Sequence, residues 1–203
     1  MSDQPSREVR NLNALLDVAK ALGAEMQLDN LLPVIISKTT EVIDAERSSL
    51  FIYDEDTNEM WSKVAEGMDS KEIRFPVGVG IAGDVAKTLK TVNIPDAYKD
   101  DRFNPAFDKE TNYRTKSILC MPMLNNEGAL VGVVQVLNKK DGSTFDDKDE
   151  SLLEALSVQA GVAIQRARLL EAFVEKQRIQ ESLKLAADIQ MGMLPKDFPA
   201  FPD

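Results

Sequence analysis

The sequence predicts an α/β chain of the α+β kind: an antiparallel sheet of short strands flanked by helices, with long helices at both ends. Three observations carry that expectation. Residues 132–150 read as an apolar strand, a polar turn and the start of a helix. Helical patterns at 7–27 and from 147 to about 194 bracket the rest. Between them, short β-branched and aromatic runs alternate with turn residues.

Taken in order, Leu12, Leu15, Leu16, Ala19, Leu22 and Met26 recur at the helical period. Asp29 is read as the cap of a second helix, with Pro33 in its first turn and Ile35, Ile36, Val42 and Ile43 inside. Strands are expected at 48–53 and 59–65 around Trp61, joined by a hairpin loop at 54–58. Ile73, Phe75 and Val77 alternate as a third strand, and 91–95 forms a fourth. Residues 117–124 return to strand character, with Pro122 marking an edge, a bulge or a nearby end. After a turn at 125–128, Val131, Val133, Val134, Val136 and Leu137 have the character of a strand buried on both faces.

The next helix carries its own start signal. Asp146 is placed to be the N-cap, and Asp149, three residues on, sits where a capping-box acid belongs. Lys139 at the strand's end is positioned to pair with Asp149. Farther along, Leu153, Leu156, Ala160, Ala163, Ala167, Leu170 and Val174 repeat at spacings of three and four, and Ile179, Leu183, Ala186 and Ile189 resume in another frame. Such a seam either packs on its own sheet or associates with the N-terminal helix and a second copy of the chain, and its length favours the homodimer.

Composition excludes several function classes. The 203 residues suit one ordinary domain with helical extensions. A formal charge of −10 without a basic cluster makes nucleic acid a poor partner. The absence of His removes the usual haem ligand, the commonest catalytic base and most zinc sites. One cysteine, Cys120, leaves no internal disulfide and fits a reducing compartment. No apolar run spans a bilayer and the N-terminus has no signal-peptide core, so a cytoplasmic protein is expected, not a membrane one. No carboxylate pair is singled out for acid–base work, and no metal is expected in this stretch.

Two segments have binding character. Gly78, Val79, Gly80, Ile81, Ala82 and Gly83 match G-x-G-x-x-G, yet they follow mixed strands and precede a short helix expected at 84–89, which argues against a dinucleotide fold. Gly-rich backbone leading into a helix start still suits one phosphate, because unpaired N–H groups sit beside the positive end of the helix dipole. Residues 96–115 form a long polar stretch without clear period, the character of a lid over a ligand.

Asn138, Lys139, Phe145, Asp149 and Glu150 stand at the spacing of the NKFDE signature, and the chain resembles the cyclic-nucleotide-binding GAF domains of vertebrate phosphodiesterases and cyanobacterial adenylyl cyclases. Blocks at 61–63, 71–74, 80–83, 93–96, 113–115 and 159–163 extend the resemblance over 28–170. Those around Trp61, Lys71 and Gln159 are nearest the cyclase branch, whose GAF domains bind cAMP. The resemblance implies that the Ile81 and Ala82 amides hold a cyclic phosphate. It also implies that Asp108, Thr111 and Thr115 approach from the lid, with Thr115 near the ribose hydroxyl. By the same resemblance Ser49, Ala65 and Glu66 would face the purine, Gln135 would look in from the central strand, and Lys139 and Asp149 would make a structural ion pair. Ala65, Asn104 and Gln135 depart from the aromatic, Tyr and Glu of relatives, and cAMP is favoured over cGMP as ligand.

The expected organisation is an N-terminal helix (1–27), a GAF domain (28–170), a helical linker (171–194) and a tail (195–203). Ala187, Asp188, Ile189 and Gln190, followed by Met193, Leu194 and Pro195, resemble the lead-in to bacterial metal-dependent serine phosphatases, which implies such an output domain in a longer protein. The function expected is a non-catalytic sensor signalling through a dimeric helical linker. The alternatives are a ligand-free dimerisation module and a redox enzyme reducing free methionine sulfoxide. The second is disfavoured by the lone Cys120, and a bilin or haem sensor by the missing Cys and His.

Overall fold

Strand β1 (Ala45–Asp54) and strand β6 (Leu130–Lys139) pair antiparallel at the centre of a six-stranded sheet ordered β3-β2-β1-β6-β5-β4. The computed structural model describes residues 7–62 and 73–193, with side chains from 12 to 191. Strands β2 (Glu59–Ser62) and β3 (Ile73–Pro76) extend the β1 side, and β5 (Ile118–Leu124) and β4 (Val92–Ile94) extend the other. Every ladder among the described residues is antiparallel, so the glycine-rich turn opens no βαβ unit there. Helices α1 (Arg7–Ala24), α2 (Leu28–Ile43), α3 (Gly80–Thr88), α4 (Ala106–Thr111) and α5 (Asp147–Met193) complete the fold.

The chain divides into two compact units, Met1–Ala167 and Arg168–Asp203. In the first, alternate residues of the central strands divide the core. Leu50, Ile52, Leu119, Met121, Val134 and Val136 point to one face, where Val18, Leu22, α2 and the first turns of α5 cover them. Phe51, Ile118, Cys120 and Val133 point to the other, against Ile81, Ala82, Val85 and Ala97.

Helix α5 approaches the sheet closely at Gly161, where a Cβ would lie 2.3 Å from the Leu124 carbonyl oxygen. Arg166 turns its guanidinium onto carbonyls at the end of α1, donating to Leu22 at 2.7 Å and, just past the helix, to Glu25 at 2.6 Å. Cationic donors suit that end of a helix.

Some elements differ from expectation. α2 starts at Leu28, so Asp29 is a first-turn acid instead of the cap, and Pro33 falls in the second turn. The helix continues through it because Leu31, Leu32, Ile35 and Ile36 are buried, offsetting the roughly 3 kcal/mol an interior proline costs. α3 begins at Gly80, not at residue 84. The polar stretch expected to lack period holds a short 3-10 turn (Ala97–Lys99) and α4. Pro122 lies past the last β4–β5 pair, Val92↔Cys120, and beside the bulge at Met123/Leu124. No β4 residue stands opposite it, so its missing N–H is tolerated there.

The seam of α5 splits in its use. Leu153, Leu156, Ala160, Ala163 and Ala167 are buried in the core of the first unit, so their pattern serves the chain's own sheet. Within the second unit α5 is one unbroken helix to Met193, and Phe173, Val174, Ile179, Leu183 and Ile189 are all exposed. Ala65, Glu66, Lys63, Lys71, Leu194, Pro195 and the tail lie outside the described residues. No helix among those described is long and apolar enough to cross a membrane.

Candidate functional site

The face of the sheet away from α5 holds a cavity of about 520 Å³, within the range of small-molecule sites. It is lined from the sheet by Arg47, Ser49, Phe51, Ile118, Gln135 and Leu137, from the turn and α3 by Val79, Gly80, Ile81 and Ala82, and from the lid by residues 101–115 in part. Of the residues singled out in the sequence, Ser49, Ile81, Ala82, Asp108, Thr111, Thr115 and Gln135 all line this one cavity.

At one wall, the start of α3 presents bare backbone. Gly80 at φ +69° turns the chain into the helix. The N-cap is Val79, which has no side-chain oxygen to offer. The first N–H groups of a helix lack intrahelical acceptors, so Gly80, Ile81 and Ala82, which line the cavity, carry amide donors beside a positive dipole end. Gly83 packs tightly: a Cβ there would lie 3.2 Å from the Pro76 carbonyl oxygen, so its neighbours would have to give by a few tenths of an ångström.

Opposite, the lid is knotted around Asp108. Its carboxylate accepts from the Thr115 backbone N–H at 2.7 Å, the Thr115 hydroxyl at 2.7 Å and the Tyr98 hydroxyl at 3.0 Å. The bond to Asp108 pushes the Tyr98 phenol up from its usual range. Thr115 has thus committed its proton to Asp108 and offers the cavity oxygen lone pairs. Thr111 bonds back to the Phe107 carbonyl at 2.8 Å.

The sequence reading missed three arginines on the cavity wall. Arg74 is held by Asp54 at 3.1 Å and Arg102 by Asp84 and Asp100, each at 2.6 Å. Arg102 in turn holds the Asp100 carboxyl below its usual range. Arg47 differs: among the described residues it has no carboxylate in ion-pair contact, and its guanidinium lies 3.9 Å from the Tyr113 ring centroid. A period-two strand beginning before Ser49 was the signal that could have found it, since Arg47 and Ser49 share a face.

Below the site, the motif residues brace the fold. Lys139 Nζ lies 2.7 Å from Asp149 Oδ2 with both groups buried. Asp149 also accepts the Asp146 N–H at 2.9 Å while Asp146 accepts the Asp149 N–H at 2.9 Å, a reciprocal capping box. Phe145 is buried in the α5-side core. Glu150 accepts from Asn93 on β4 at 2.7 Å, and Asn93 also donates to the Phe145 carbonyl at 3.1 Å. The single cysteine is fully buried on β5, and burial pushes its thiol far up, away from the reactive thiolate.

The profile of the GAF domain family matches residues 27–164. A probable 3',5'-cyclic phosphodiesterase of Caenorhabditis elegans is 35% identical over 192 residues, covering 87% of this chain and 25% of that protein. A dual 3',5'-cyclic-AMP and -GMP phosphodiesterase 11A of Takifugu rubripes is 38% identical over 169 residues, 77% of this chain and 19% of that protein. The chain therefore spans about a quarter or less of the curated relatives it matches. Among solved structures, the GAF domain of a phosphoenolpyruvate-protein phosphotransferase from Coxiella burnetii superposes with a TM-score of 0.73 at 22% identity, covering 82% of this chain and 99% of that chain. A free methionine-R-sulfoxide reductase from Neisseria meningitidis superposes with a TM-score of 0.68 at 16% identity, covering 83% and 96%. At these identities the solved structures speak for the fold alone.

Proposed function

The chain belongs to the GAF domain family, and on that premise we propose that it is a regulatory sensor whose cavity binds a 3',5'-cyclic nucleotide, cAMP in preference to cGMP. The observation that carries this reading is the uncapped start of α3, whose Ile81 and Ala82 amides open on a cavity with polar groups on the far walls. A cyclic phosphate docks on those amides, which need no reorganisation to receive it. The ribose lies under the lid, near Thr115 and Thr111. The base faces the sheet, where Arg47, Ser49 and Gln135 supply donors and acceptors. The adenine preference draws on the cyclase-like blocks around Trp61 and Gln159. That two relatives are named as cyclic-nucleotide phosphodiesterases supports the ligand class.

The domain itself is assigned no chemistry. Ligand is proposed to order the lid, and α5 to carry the change within a homodimer to an output domain. The exposed Phe173, Val174, Ile179, Leu183 and Ile189 support the dimer, since a helix with that much bare apolar surface calls for a partner. The serine phosphatase resemblance at 187–190 supports the output. Cys120, buried with its thiol pushed up, does not support the redox alternative.

Calorimetric titration with cAMP, cGMP and adenosine tests the reading. The expected result is cAMP binding below about 100 μM, roughly 5.5 kcal/mol, with cGMP weaker. Adenosine, lacking the phosphate, should bind at least tenfold more weakly than cAMP, about 1.4 kcal/mol. Binding of neither cyclic nucleotide would leave the dimerisation module as the better reading. Adenosine matching cAMP would refute the amide cradle.

A further inference from the structure

The far end of the lid is tied to the sheet by a side-chain cluster. Glu46 on β1 and Asn138 on β6 face each other between the pairs Ala45↔Lys139 and Arg47↔Leu137. Asn138 sits at φ +52°, a conformation asparagine adopts more readily than most residues. Its Oδ1 accepts from the backbone N–H of Lys116 at 2.7 Å and of Ser117 at 3.2 Å. Its Nδ2 donates to Glu46 Oε2 at 2.9 Å, the Tyr113 hydroxyl at 2.8 Å and the Arg114 carbonyl at 2.9 Å. The Tyr113 hydroxyl donates in turn to Glu46 Oε2 at 2.7 Å. Asn138 is buried, and this cluster uses both lone pairs and both protons of its amide.

The tie between the lid and α3 is of a different kind. There Arg102 reaches Asp84 on α3 through a single ion pair with both side chains about a third exposed. Exposed pairs of this sort hold weakly and are screened by salt. In the cluster Glu46 is exposed and Tyr113 partly buried, but the Asn138 amide at its hub is buried, so deleting it leaves the Lys116 and Ser117 N–H groups without their acceptor.

We propose that Glu46 and Asn138 are positioning residues for the ligand cavity. They fix Tyr113 and the backbone of Lys116 and Ser117, so that the neighbouring Thr115 and its partner Asp108 are held facing the cavity. The lid therefore hinges at this end and opens at the Arg102–Asp84 end. The ligand's identity rests on the cyclic-nucleotide reading, while the hinge does not depend on it.

Residue-resolved amide hydrogen exchange on the ligand-free chain, paired with cAMP titration, tests this. Asn138→Gly keeps the left-handed backbone and deletes the side chain. It should speed exchange at Lys116 and Ser117 at least tenfold, leave Leu119 and Met121 in β5 unchanged, and weaken cAMP about tenfold. Tyr113→Phe should move the same amides about threefold. Asp84→Asn should leave those amides alone and speed cAMP release severalfold. Unchanged exchange at Lys116 and Ser117 in Asn138→Gly refutes the hinge. Faster exchange throughout β5, or loosened amides with unaltered cAMP affinity, refutes the positioning role. Should wild type bind no cyclic nucleotide while Asn138→Gly loosens those two amides, the ligand reading falls and the hinge is upheld.

Discussion

The two faces of the central sheet use the same strands for opposite purposes. Toward α5, β1 and β6 present Leu50, Ile52, Val134 and Val136, all buried against helices. One residue away along each strand, Arg47, Ser49 and Gln135 point to the cavity. A covered face gains from every apolar atom it buries, while the cavity face keeps polar groups in position for a ligand. Stability and recognition are therefore carried by different residues of one sheet, and substitutions should separate them.

The largest effect is expected where the covered face is anchored. Lys139→Ala leaves the buried Asp149 carboxylate without its cation and should cost about 3–5 kcal/mol in denaturant unfolding. Replacing both, Lys139→Met with Asp149→Leu, should recover most of that loss, short of the capping bond Asp149 also makes. Leu153→Ala, at a fully buried position, should cost about 2–5 kcal/mol. Its effect on cAMP affinity should stay within twofold, and a larger change would break the separation of faces.

Next in size is the exposed run of α5. Phe173→Glu with Leu183→Glu should weaken self-association at least tenfold, about 1.4 kcal/mol, in sedimentation experiments. Unfolding of the first unit should hardly change. On the cavity face, Gln135→Leu should alter stability by less than about 1 kcal/mol, since the side chain is only partly buried. Its cAMP affinity should nevertheless drop at least threefold.

The smallest effect concerns acid. Hydrogen bonds from Asn138, and then Tyr113, hold the Glu46 carboxyl below its usual range. A depressed folded-state value means the stabilisation is complete above the ordinary glutamate range and is lost as pH falls through the lowered value. The acid limb of the unfolding profile should be shallower in Glu46→Gln than in wild type. Identical acid limbs would detach Glu46 from the cluster.

How much of this was legible follows from the range of each interaction. The capping box at Asp146 and Asp149 and the buried character of β6 were readable because their signals lie within a few residues. The Lys139–Asp149 pair was readable for the same reason, its partners standing ten positions apart. Helix starts misled at Asp29 and at residue 84, because burial and a Gly turn outweighed local capping preference. Glu46 and Asn138 stand 92 positions apart, and Arg166 reaches a carbonyl 144 positions away. No local pattern announces contacts of that kind.

By itself the sequence determined the strands and the longer helices, though not α4 or every helix start, together with the strand-to-helix brace and the glycine-rich turn, since each is written in neighbouring side chains and their period. The tertiary structure alone decided that β1 lies beside β6, which brings Arg47, Ser49 and Gln135 onto one face, and that Asn138 meets Glu46 and the lid. Those outcomes depend on which distant surfaces bury one another, a choice made by the packing of the whole chain.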